Sequence, residues 1–193
     1  MRKSPNVNLE YRKTDIVTIA VYQLGGALRH IHLEDVAIKA AELSPKAFSW
    51  KKYPERINLE SVRLALKSEL ASNNRRVIGS IRDGWMLSPK GLHWCISNTE
   101  NDAKQSLMDQ INKEVSRAKK TEAFTKTINN KLYQVSNADV KILLRVDEYF
   151  STRNRRERVL ALSNAALLDP QLNSVLTSLR ERGFIELEVK KSE

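Results

Sequence analysis

Apolar residues recur every third or fourth position along most of the chain, a period that predicts a mainly α protein. Thr14-Asp15 offers a cap ahead of Ile16, Ile19, Ala20 and Leu24, which share one helical face until Gly25-Gly26 loosens it. Arg29-His30-Ile31-His32 alternates like a very short strand. A second helix, Glu34 to Leu43, buries Val36, Ala37, Ala40, Ala41 and Leu43, and Ser44-Pro45 stops it. After a long loop, Asn58 caps a third helix whose core stripe is Leu59, Val62, Leu66 and Leu70. Arg76 to Arg82 then reads as a strand, Asp83-Gly84 as a two-residue hairpin turn and Trp85-Met86-Leu87 as the return strand. Ser88-Pro89 opens a short helix through Trp94.

Thr99 to Tyr133 reads as one long, charged helix. Met108, Ile111, Val115 and Ala118 keep heptad spacing there, and Phe124, Ile128 and Leu132 then step by four. Helices follow at 138–150 and 155–167. Asp169-Pro170 begins a last helix through Arg182, with Gly183 as its left-handed terminator and Phe184 to Leu187 as a strand. The expected division is a flexible arm 1–13, an N-terminal unit 14–98, a connecting or dimerisation helix 99–134 and a C-terminal unit 135–193.

Charge narrows the class of partner. The 193 residues carry 33 Lys and Arg against 23 Asp and Glu, a net +10. Residues 46–90 alone hold ten of the bases and only four acids. Such a concentration favours a polyanion, most simply nucleic acid. A single cysteine, Cys95, gives no reason to expect an oxidising compartment. The N-terminus lacks the apolar stretch of a signal peptide, and no apolar run is long enough to span a bilayer. The expectation is a cytoplasmic, nucleoid-associated protein with no membrane partner.

Helix, short strand, helix, loop, helix, strand, turn, strand and helix over residues 14–94 resemble the winged-helix branch of helix-turn-helix proteins. Gly84-Trp85-x-Leu87-Ser88-x-x-Gly91 looks like the return strand of such a wing. The resemblance implies a double-stranded DNA partner, with the third helix in the major groove and the wing on the adjacent backbone or minor groove. On a helical wheel the face opposite the core stripe shows Ser61, Leu64, Ser68 and Ala71, with Glu60 and Lys67 beside it and Arg63 nearer the core edge. Few of these groups can pair with base edges. Most of the charge lies to either side, in the loop (Lys46, Lys51, Lys52, Arg56) and on the wing (Arg75, Arg76, Arg82). Salt-sensitive affinity with modest sequence preference follows.

Phe48, Trp50 and Tyr53 in the loop are expected to fill the gap between the second and third helices, the alternative being stacking on unpaired bases. In the C-terminal part, Val175, Leu176, Leu179, Gly183, Phe184, Ile185 and Leu187 resemble the recognition helix and first wing strand of a second, truncated winged helix over 137–190. The other reading of this part is a plain helical bundle used for dimerisation. Arg153, Arg155, Arg156 and Arg158 cluster nearby. The expected assembly is a homodimer through residues 99–193, serving as a transcriptional regulator. The alternative is a DNA- or protein-docking subunit of a larger genome-maintenance or phage-defence complex.

Catalytic chemistry finds little support. His30, His32, His93 and Cys95 could supply zinc ligands, but their spacing matches no common zinc module. Asp169 followed by Glu186-Leu187-Glu188-Val189-Lys190 is nuclease-like, yet Asp169 is better explained as a helix cap. No glycine-rich phosphate loop occurs. Neither catalysis nor a cofactor is expected.

Overall fold

A computed structural model of the chain describes residues 11–99 and 101–185. Among them are ten α-helices and one two-stranded antiparallel sheet, so the protein is mainly α. Helix α1 (Lys13–Gln23) is buried without interruption from Asp15 to Tyr22. A helix covered all round must lie at the centre of its unit, and α1 touches α2 (Leu33–Leu43), α4 (Leu59–Ala71), α5 (Pro89–Asn98) and α6 (Asn101–Lys119). Ser44-Pro45 ends α2 and places Pro45 at the start of a single further turn, α3 (Pro45–Phe48).

Strands β1 (Val77–Ser80) and β2 (Gly84–Leu87) pair from Val77↔Leu87 to Ser80↔Gly84. The loop between them is therefore Ile81-Arg82-Asp83, one residue longer than the expected Asp-Gly turn. Ser80 explains the difference. Its hydroxyl accepts the Asp83 N–H at 3.0 Å and donates to Asp83 Oδ2 at 2.8 Å, so Asp83 keeps an ordinary φ and Gly84 alone takes the left-handed one, +83°. Gly84 also lies too close to the Ile31 carbonyl for a Cβ. The alternating stretch near Ile31 is there because Ile31 and Trp85 exchange backbone hydrogen bonds of 2.9 and 2.8 Å.

The expected long helix over 99–133 is two. Helix α6 stops at Lys119, and α7 (Glu122–Ile128) starts afresh after Thr121, whose buried hydroxyl donates to the Ala118 carbonyl. The turn lets Ala118 on one helix and Ala123 and Phe124 on the other all be buried, with both helices against α10 (Pro170–Glu181). The heptad stripe and the four-step stripe thus belong to different helices. Helix α8 (Asn137–Leu144) also ends earlier than expected, at a left-handed Arg145. Ser151 then caps α9 (Thr152–Ala166). Asp169 caps α10 by accepting the Leu172 N–H, and Gly183 follows at φ +76°. Phe184 and Ile185 form a bend, and Glu186 and Leu187 lie outside the described residues. Among the described residues beyond Thr99 there are helices and no strand.

One cluster of buried side chains runs through both halves of the chain. Leu107, Ile111, Val115 and Ala118 of α6 are buried inside it, with Met108 half-buried. The α9 residue Asn164, itself fully buried, donates from its amide to the carbonyls of Ala27 (2.8 Å) and Leu87 (3.0 Å). Among the described residues, no helix is long and apolar enough to cross a membrane.

Candidate nucleic-acid interface

Asn58 fixes the start of α4 by accepting the Ser61 N–H at 3.0 Å. Val62, Ala65, Leu66 and Glu69 turn inward, and Glu60, Leu64, Lys67, Ser68 and Ala71 are exposed, broadly as the wheel places them. Leu59, assigned to the core stripe, is exposed at the helix's first turn. Two polar groups of the expected reading face are already engaged. The Ser61 hydroxyl accepts a hydrogen bond from Lys13 at 2.7 Å, and Arg63 is paired with Glu60 one turn back. That pairing holds the Glu60 carboxyl below the usual carboxylate range. Lys67 is exposed and makes no ion pair within 4 Å among the described residues, although its charge also helps to lower the Glu60 carboxyl.

Arg76 was expected among the DNA-facing cations, and its position corrects that. Its side chain is 5% exposed and donates to Glu69 at 2.6 and 2.8 Å and to Asp15 at 2.8 Å. The guanidinium also lies 4.2 Å from the centre of the Trp94 ring. Burial pushes the Glu69 and Asp15 carboxyls up, but hydrogen bonds and charge from Arg76, joined at Asp15 by hydrogen bonds from Arg12, together outweigh it and hold both below their ordinary values. Arg76 is a structural cross-link between α1, α4 and β1. Its neighbour Arg75 is exposed, in a left-handed conformation, with Nε donating to the Leu70 carbonyl at 3.2 Å.

Lys46, Lys51, Lys52 and Arg56 are all exposed. The last three ride on a closed loop. Ser49 bridges to Ile57, Trp50 N–H donates to the Arg56 carbonyl, and Asn58 N–H donates to the Phe48 carbonyl at 2.6 Å. Phe48 fills the interior as expected. Trp50 and Tyr53 do not, being 51% and 45% exposed. Backbone hydrogen bonds close the loop at its neck, and of the three aromatics only Phe48, at its base, is buried.

Arg82 is exposed at the tip of the hairpin. Beside it, and beyond any local sequence signal, Arg153 of α9 donates to the Asp83 carbonyl at 2.6 Å and pairs with its carboxylate at 3.1 Å. Arg158 lies 2.9 Å from Glu114, a half-buried acid shared with Arg117 (2.8 Å) and Arg145 (3.7 Å). Arg153 and Arg158 of the C-terminal arginine cluster are therefore engaged by acids of the same chain, Arg153 at the surface and Arg158 half-buried.

The candidate metal ligands are not gathered. His30 Nδ1 lies 2.7 Å from Glu157, and Cys95 is buried with its sulfur against the Thr18 carbonyl and its thiol pushed far up by burial. Among the described residues, no three His, Cys, Asp or Glu side chains are placed to hold a metal ion. Asp169 is engaged as a cap and by Lys119 at 2.6 Å, and residues 186–190 of the nuclease-like fragment lie outside the described residues. Compared with protein-family models, curated proteins and solved structures, the chain gives no match.

Proposed function

We propose that residues 14–98 act as a winged helix on double-stranded DNA, with α4 toward the major groove and the β1–β2 hairpin as the wing. The observation that carries this reading is the order α1, Ile31, α2, α4, β1, β2, in which Ile31 pairs beside the hairpin. Exposed cations stand at both ends of α4: Lys46, Lys51, Lys52 and Arg56 before it, and Arg75 after it. Arg82 adds one on the wing. These groups suit phosphates, and the thin chemistry of α4 suits weak base reading, so binding is driven mainly by the backbone. The role that fits is a non-enzymatic regulator working beside the nucleoid.

A homodimer through residues 99–193 belongs to the proposal, with a seam other than the Ile111, Val115 and Ala118 stripe of α6, which is covered by the same chain. Exposed Tyr133, Ile142 and Tyr149 leave apolar surface in that half. A second reading, a docking subunit, is favoured by Leu64, which is 54% exposed on the outer face of α4.

The deciding experiment is a duplex titration over a range of salt. Each phosphate contact adds about 0.9 to the log–log slope, so a steep slope supports the DNA reading and a slope near zero removes it.

A further inference from the structure

We infer that loop 49–57 is a second nucleic-acid site, in which Trp50 stacks on an unpaired nucleobase while Lys51, Lys52 and Arg56 hold the phosphates next to it. The site extends the proposed duplex interface, and rests on it for the polarity of the partner.

A tryptophan half out of the protein costs apolar hydration, and this one is not held outside by slack. The Ser49–Ile57 bridge, the Trp50–Arg56 hydrogen bond and the Phe48–Asn58 hydrogen bond close the loop at its neck. Phe48 roots it in the core, and Lys13 sits over that ring at 5.6 Å while reaching Ser61 on α4. The loop is therefore fixed against the first turn of α4.

The two exposed aromatics differ. Tyr53 is covered by cations, with Lys52 Nζ 5.7 Å and the Arg56 guanidinium 5.2 Å from its ring centre. It fixes the position of two positive charges. Trp50 is 51% exposed and has no cation drawn over it among the described contacts. An open indole beside clustered cations is the pairing that single-stranded nucleic acid requires, a π surface for the base and positive charge for its backbone. A protein groove would match the indole but not four cations, Lys46 among them, countered only by Glu55. Paired bases offer no free face, so the ligand is a strand with an unstacked base, from DNA or RNA, next to the duplex that α4 and the hairpin hold.

Three probes test this on the full chain: a blunt duplex, the same duplex with a single-stranded deoxyuridine tail, and one with a uridine tail. The tailed forms should bind roughly 5- to 100-fold more tightly than the blunt one, the range expected for one stacked base. Tryptophan emission should fall on adding them. Trp50→Phe should keep the preference and lose the quenching, and Trp50→Ala should lose both. Equal tightening by both tails assigns the site to any unpaired base, and tightening by one alone assigns it to that sugar. Equal affinity for blunt and tailed duplexes with unchanged emission overturns the inference while leaving duplex binding intact. Loss of blunt-duplex binding with quenching retained overturns the duplex reading instead.

Discussion

Arg153, on the first turn of α9, grips Asp83 at the tip of the β1–β2 hairpin through both its backbone carbonyl and its carboxylate. The tip of a two-stranded hairpin is ordinarily its most mobile part. Here a helix seventy residues away holds it. Both side chains are well exposed to solvent, so the pair adds at most about 1 kcal/mol to stability.

Arg153→Ala should therefore leave the melting temperature nearly unchanged while speeding amide exchange at Arg82, Asp83 and Gly84 severalfold. Hydrogen-exchange mass spectrometry reads both halves of that statement. Unchanged exchange at the tip would show that the hairpin is rigid without the clamp.

Arg76 and Arg82 look alike in the sequence and should behave in opposite ways. Arg76→Ala strands the buried Glu69 without its cation, leaves Asp15 with Arg12 alone, and should cost about 3–5 kcal/mol of stability. Arg82→Ala should leave stability intact and lower the salt slope of duplex binding by about one. Denaturant melts beside salt titrations separate the two effects. A stable Arg76→Ala with weakened DNA binding would return Arg76 to the interface.

This pair also marks how far the sequence could be read. The apolar spacing located nearly every helix, and Asn58, Ser88 and Asp169 cap α4, α5 and α10 by the local hydrogen bonds their types suggest. Local patterns carry that information because helices and caps are made within a few residues. They carry none about Asp15, sixty-one positions from the arginine it pairs with. The same blindness merged α6 and α7, since a charged, helix-favouring stretch has no reason to break until α10 is packed on it. It also buried Trp50 and Tyr53, whose place depends on how Phe48 closes the loop.

Acid should unfold the protein within a definite window. Asp15, Glu69 and Glu114 all have carboxyls held below their ordinary values, because arginine contacts outweigh the upward push of burial. A carboxyl lowered in the folded state stabilises it fully above its unfolded pKa, about 4, and loses that contribution as pH falls toward the folded value. Melting temperature should be level above about pH 5 and drop steeply below about pH 4. A level profile down to pH 3 would contradict the ion-pair assignment.

Sequence preference should separate from affinity. Lys51→Ala with Lys52→Ala should weaken every duplex about equally, whereas Lys67→Ala should change the ranking of sequences by about 1–3 kcal/mol at one position. Ser61→Ala should shift it less, since Lys13 already holds that hydroxyl. Leu64→Glu is the arbiter between readings: unimpaired DNA binding would take α4 out of the groove and leave it as a protein-docking face.

Ile111→Ala should lower stability by about 2–5 kcal/mol at any protein concentration, because Ile111 is fully buried within its own chain. If the loss appears only on dilution, α6 is a subunit seam after all. Light scattering on the same samples reports the oligomer directly.

Asn164 adds an element of timing. The carbonyls of Ala27 and Leu87 that it satisfies belong to the part of the chain synthesised first. At about 5–20 residues per second, α9 follows several seconds later. Until it arrives, two acceptors and the apolar side chains around them face water on the nascent chain. The N-terminal half thus leaves the ribosome with part of its surface uncovered until the segment carrying Asn164 has been translated.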